Sequence, residues 1–112
     1  MALLTPQVIV AEGIVRTFVA VAAGGDEFVN SGRHFIAVIN AHGADPRTIT
    51  VNSQQNCNQG VDHDIAVVIT AAQDEKVFGP FPKDRFNDSD GKVQITYSDA
   101  GADLTIASFE LP

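Results

Sequence analysis

The 112-residue sequence has no tryptophan, one tyrosine and one cysteine, and its seven lysines and arginines face fourteen aspartates and glutamates. Each shortage removes a class of function. Cys57 has no second cysteine to pair with, so no disulfide forms within the chain. Its surroundings, Gln54 through Gly60, contain no basic group to lower the thiol pKa. Cys57, His63 and Asp64 can be written as nucleophile, base and orienting carboxylate, but the thiol lacks the setting that would activate it. The cations Arg16, Arg33, Arg47, Lys76, Lys83, Arg85 and Lys92 are scattered, and only Lys83 and Arg85 come close together. A nucleic-acid partner needs clustered positive charge, so none is expected. One tyrosine and no tryptophan leave little material for an aromatic carbohydrate platform. Pro6, Glu12, Gly13 and Arg16 interrupt the N-terminal apolar stretch well short of membrane-spanning length, so no membrane partner is expected either. The first ten residues lack the basic start of a secretory leader. Synthesis in a reducing cytosol is the resulting expectation.

What the chain does have is period-two alternation. In residues 47–52, Ile49 and Val51 share one face while Thr48, Thr50 and Asn52 share the other. Residues 92–97 repeat the pattern with Val93, Ile95 and Tyr97 against Lys92, Gln94 and Thr96. Side chains of a strand alternate between its two faces, so each segment has one dry side and one wet side. Leu104 and Ile106 begin a third such segment, but the phase slips to Phe109 and Leu111, which predicts a bulge or a departing tail. Residues 35–39 and 65–69 are apolar throughout and rich in β-branched residues, which predicts central strands covered on both faces. Helical spacing occurs at Ile65, Val68, Ile69 and Ala72, running into Thr70–Lys76. Four β-branched residues in five favour strand followed by turn over helix there.

Turn formers punctuate the sequence at short intervals and leave strand candidates at 14–21, 26–29, 35–41, 47–53, 64–70, 76–81, 92–98 and 103–109. Seven to eight short strands with little or no helix predict an all-β fold, an antiparallel β-sandwich of jelly-roll type. The immunoglobulin marks of paired cysteines and a buried tryptophan are missing. The length predicts one domain over residues 1–112, with 1–13 as an N-terminal arm and 110–112 as a C-terminal tail.

The densest polar stretch is Gly79-Pro-Phe-Pro-Lys-Asp-Arg-Phe-Asn-Asp-Ser-Asp-Gly-Lys-Val-Gln-Ile-Thr-Tyr97. Placing Gly91 at the sixth position of a calcium loop sets Asp88 and Asp90 correctly but puts Phe86 at the first position and Tyr97 at the twelfth. Neither supplies a carboxylate. A non-standard cation site from Asp84, Asp88 and Asp90, or a metal-dependent enzyme built on them, is a weak candidate. A structural loop accounts for more of the residues. Asn87, Asp88 and Asp90 would cap turns, Gly91 would take a positive φ, Pro80 and Pro82 would set an extended path, and Phe81 and Phe86 would anchor both ends. The histidines His34, His42 and His63 have no ligand spacing. No catalytic residue, metal or cofactor is expected.

Residues 79–97, together with Ala23-Gly-Gly-Asp-Glu-Phe-Val-Asn-Ser-Gly-Arg-His-Phe-Ile-Ala-Val-Ile-Asn40, resemble small β-sandwich structural proteins of tailed bacteriophages, among them capsid decoration (cement) proteins. The resemblance implies a non-enzymatic virion protein on the outer capsid surface, a homo-oligomer (dimer or trimer) bridging subunits of the major capsid protein. A tail or head–tail joint module, with glycans as one class of ligand, is the alternative within the same context. The apolar residues Leu3, Leu4, Val8 and Ile9 of the arm and Phe109 and Leu111 of the tail are the interface candidates, with ordinary edge-strand packing as their competing explanation.

Overall fold

The structure, a computed structural model, describes residues 1–54, 64–70, 74–99, 101 and 103–112. Its strands are β1 (Ala2–Leu3), β2 (Gln7–Val8), β3 (Val19–Ala20), β4 (Asp26–Val29), β5 (His34–Asn40), β6 (Arg47–Val51), β7 (Ile65–Ile69), β8 (Asp74–Phe78), β9 (Lys92–Tyr97) and β10 (Leu104–Glu110). One helical turn, α1 (Lys83–Phe86), lies between β8 and β9. Four antiparallel pairs are nested one inside the next: β6 with β7, β5 with β8, β4 with β9, and β3 with β10. Rolling this long hairpin up brings β9 beside β6 and β10 beside β5. Two sheets result, ordered β1-β4-β9-β6-β7 and β2-β10-β5-β8, with β3 also on β10. That winding is a jelly roll, and the fold is an all-β sandwich.

The alternating segments pack as their pattern predicts. Ile49, Val51, Val93 and Ile95 are fully buried between the sheets, joined from the facing sheet by Ile36, Val38, Leu104 and Ile106. Each such side chain contributes about 1.5–3 kcal/mol by leaving water. The apolar run in β5 is explained by its position between β10 and β8, where both faces are covered. The run in β7 is a strand but not a central one. It forms the edge of its sheet and leaves Val68 about half exposed. Asp74–Phe78 at the end of the helically spaced region is strand, in register with β5 from Asn40 to Ile36. The strand expected at 14–21 shrinks to Val19–Ala20.

The phase slip in the last strand has a different cause from a bulge. β10 pairs with β5 without interruption from Leu104 to Glu110. Leu104 and Ile106 face the main core, while Ala107 and Phe109 face the opposite side of the sheet, under a second small apolar cluster. Ile9, Ile14 and Phe18 supply that cover and pack with Phe35, whose ring stacks on Phe109 at 5.2 Å. The strand is apolar on both faces because both are buried.

Residues 1–13 are accordingly no free arm. β1 runs parallel to β4 at the edge of one sheet, and β2 runs parallel to β10 in the other. The ribbon between them crosses from sheet to sheet and buries Leu4. Backbone bonds from Leu4 N to Glu27 O (2.7 Å) and from Ile9 N to Glu110 O (3.0 Å) fix both halves. Edge strands expose unpaired amides and carbonyls, and this ribbon covers part of one edge of each sheet. The tail is held as well: Glu110 belongs to β10, and Leu111 N donates to Arg33 O at 3.0 Å.

Buried polar side chains fasten the sandwich at its corners. Asn40, fully buried on β5, donates to the carbonyls of Asp45, Ile69 and Thr70 and accepts from His42 N, so it ties one sheet to the end of β7 in the other. The carboxylate of Asp26, 2% exposed, accepts from the Tyr97 hydroxyl at 2.6 Å and from Ala22 N at 3.2 Å. Burial, then the Asp26 carboxylate, pushes the phenol far above its ordinary pKa, so Tyr97 remains a donor. Removing a donor from a buried acceptor costs about 1–3 kcal/mol. Tyr97→Phe is expected to lower unfolding free energy by that amount in urea denaturation, with an unchanged m-value.

Candidate functional site

The corner at residues 79–97 is built from its aromatic anchors outward. Phe81 is fully buried and meets Phe86 edge-on at 5.6 Å, Phe78 edge-on at 6.3 Å and Phe28 at 5.9 Å. Phe86 is 1% exposed and closes the helical turn α1, whose first carbonyl partner is Pro82 O. The Gly79–Pro80 peptide bond is cis. Asn87 leaves the turn and joins Asn30 in a reciprocal pair: Asn30 Nδ2 donates to Asn87 Oδ1 at 2.7 Å, and Asn87 Nδ2 donates to Asn30 O at 3.1 Å. Asn30 also donates to Phe81 O at 2.8 Å. The corner is thus stitched to the end of β4.

Asp88 does the turn-capping. Its Oδ1 accepts from the amides of Asp90 (2.9 Å) and Lys92 (3.0 Å), and its Oδ2 accepts from Gln94 Nε2 at 2.9 Å. Asp88 O accepts from Gly91 N at 3.0 Å, and Gly91 takes φ +77°, which a side-chain-bearing residue rarely adopts. The Lys92 amide, then the Gln94 and Asp90 donors, hold the carboxyl below its ordinary pKa despite an opposing desolvation effect. Asp84 and Asp90 are exposed and do not converge on it. Among the described residues no three His, Cys, Asp or Glu side chains are arranged to hold a metal ion. The one engaged carboxylate of this loop, Asp88, holds two backbone amides and the Gln94 side chain. Sequence reasoning identified the loop and gave Asn87 a capping role, whereas its side chain instead pairs with Asn30 at the end of the neighbouring strand β4.

Cys57 and His63 lie outside the described residues. Asp64 accepts from Ser53 N at 2.7 Å and so closes the base of the β6–β7 connection. His34, absent from the expected core, is 3% exposed at the start of β5. Its Nδ1 accepts from Ser31 N at 3.1 Å, which leaves the proton on Nε2, 3.6 Å from the Glu110 carboxylate. Burial lowers its pKa, Glu110 opposes that shift and Arg33 adds to it.

The interface candidates divide sharply. Leu4 and Phe109 are buried at 7% and 3%, and Ile9 packs on the outer apolar cluster, so these three serve the fold. Packing within the fold accounts for their burial, at the sheet edge for Leu4 and Ile9 and in the outer apolar cluster on β10 for Phe109. Leu3, Val8 and Leu111 are exposed at 46–59%. Sequence reasoning missed Val10, Val15 and Val19, exposed at 44%, 89% and 48%, because nothing in the local pattern separates a solvent-facing valine from a core one. Six of the ten exposed large apolar side chains among the described residues, Met1 included, lie in the first nineteen residues. The ribbon carries this apolar surface on a rigid base. Gln7 brackets Thr17 with bonds of 2.8 and 3.0 Å, and Arg16 pairs with Glu75 on β8 and lies 5.3 Å over the Phe18 ring.

No protein-family model, curated protein or solved structure matches this chain.

Removing the turn-capping acceptor leaves amides of the corner unpaired, so Asp88→Ala is expected to cost about 1–2 kcal/mol. Asp84→Ala and Asp90→Ala are expected to stay within about 0.5 kcal/mol in the same urea titration, as surface changes do. A second prediction concerns acid. His34 binds a proton more readily unfolded than folded, so its contribution to stability is complete above its unfolded pKa of 6.5 and declines as pH falls below it. Urea midpoints at pH 7.5 and 5.0 are expected to fall for the native chain and to fall less for His34→Gln.

Proposed function

We propose that this chain is a non-enzymatic structural module that attaches to the outer surface of a bacteriophage capsid and bridges its major capsid subunits, as a homo-oligomer. The observation that carries the reading is the apolar surface of the N-terminal ribbon, presented on a sandwich whose own edges are partly sealed. Large exposed apolar patches mark interaction sites, and six of the ten exposed large apolar side chains among the described residues lie in residues 1–19. The resemblance of residues 23–40 and 79–97 to phage decoration proteins supplies the identity of that partner, and the jelly-roll winding agrees with it.

The physics suits attachment to a repeating shell. A net charge of −7 keeps free copies apart and soluble before assembly. On a shell, each contact can be modest, because a second contact by the same oligomer is effectively intramolecular. The engaged carboxylate of the corner, Asp88, stabilises the scaffold.

The test is attachment. Cryo-electron microscopy of particles carrying this chain is expected to show hundreds of copies on the head, and particles lacking it are expected to lose heat tolerance. Leu3→Asp combined with Val19→Asp is expected to leave the melting temperature nearly unchanged and abolish decoration. A handful of copies at one vertex would instead assign the module to the tail or its joint, and equal binding by the double variant would remove the ribbon from the interface.

A further inference from the structure

The ribbon's path from one sheet to the other leaves an opening. After β1 the chain crosses at Leu4-Thr5-Pro6 to reach β2, while β3 approaches the same edge of β10 from the other direction. β2 meets β10 at Phe109 and Glu110, and β3 meets it at Thr105 and Ile106. Between these two contacts lies a cleft of about 330 Å3, the size of a small-molecule site. Leu3, Leu4, Val19 and Ile106 form its apolar walls, and Gln7, Thr17 and Ser108 contribute polar atoms. No charged residue lines it.

Ser108 is the informative member. The residue is 2% exposed, and its hydroxyl is the one buried side-chain polar atom among the described residues with no hydrogen-bond partner. A buried hydroxyl without a partner destabilises the fold that keeps it there. The position sits between Ile106 and Glu110 on a strand whose inner face otherwise carries Leu104 and Ile106, so an alanine would serve packing at least as well. The Gln7 amide is held in place by Thr17 on both sides and makes no bond to the Ser108 hydroxyl. We propose that the cleft binds a small neutral ligand with an aliphatic body and a single hydrogen-bonding oxygen, which Ser108 recognises. The apolar walls accept the aliphatic part. The uncharged lining and the acidic balance of the whole chain reject carboxylates.

This inference is independent of any capsid and is tested on the purified full-length chain with 1-hexanol as probe and hexanoate as its charged counterpart. Amide shifts in a nitrogen–proton correlation spectrum are expected to move saturably with 1-hexanol at Leu4, Thr17, Val19 and Ser108, and not with hexanoate. Ser108→Ala is expected to keep or raise the melting temperature while weakening 1-hexanol binding about three- to tenfold, the value of one neutral hydrogen bond. Val19→Trp, which fills the cleft from its rim, is expected to abolish the shifts in a protein that still melts cooperatively. Scattered or unsaturable shifts, equal response to hexanoate, unchanged binding by Ser108→Ala, or a lowered melting temperature for that variant would each overturn the proposal, the last by revealing a structural partner for the hydroxyl.

Discussion

Because β10 pairs with β5 along one edge and with both β2 and β3 along the other, its seven residues join the start, the middle and the end of the chain. Its inner face contributes Leu104 and Ile106 to the main core, and its outer face lies beneath Ile9, Ile14 and Phe18. The outermost of the four nested hairpins closes here. Without the β3–β10 pairing the roll would still have its inner three pairs, but the outer cluster would lose its cover and Phe109 its burial. The surface properties of the molecule follow from this constraint. A ribbon held at both ends can present Leu3, Val8 and Val19 to a partner at low entropic cost, whereas a free arm would have to be ordered on binding.

Polar groups at the corners do what the apolar core cannot. Hydrophobic burial is non-directional, so it presses two sheets together without choosing their register. Asn40 bonds to the end of β7 across the sandwich, while Asn30 with Asn87 and Asp26 with Tyr97 bond between the neighbouring strands β4 and β9 and the segments flanking them. A misaligned arrangement would leave these groups without those bonds. Asp88 performs the local equivalent in the corner, where it fixes the turn into β9. Three carboxylates in one loop, Asp84, Asp88 and Asp90, looked like a candidate cation site. In three dimensions the one that is engaged holds amides.

Much of the architecture was legible because alternation with one wet face and one dry face is a strong signal, as at Thr48–Val51 and Val93–Tyr97. The jelly-roll class followed from the number of such segments and their turn punctuation. What escaped was whatever depended on contacts distant in sequence. The β7 run reads as a central strand because its residues are all apolar, yet strand order alone decides that it is an edge. The slip at Ala107–Phe109 reads as a bulge because a single strand cannot reveal that another segment covers its outer face. Two-residue strands such as β1 and β2 have no period to detect, so the ribbon looked like an arm. The same limit applied to the candidate interface, where Leu3 and Leu4 are adjacent and chemically identical but one is exposed and the other buried.

The account rests on the N-terminal ribbon being an integral layer of the fold, and native-state hydrogen exchange examines that directly. The amides of Leu4, Ile9 and Val21, which donate to Glu27 O, Glu110 O and Leu104 O, are predicted to exchange far more slowly than in an unstructured chain and to lose their protection together with β10. Exchange of those three amides at free-chain rates, while β10 remains protected by β5, would show the ribbon to be detached and would contradict the account.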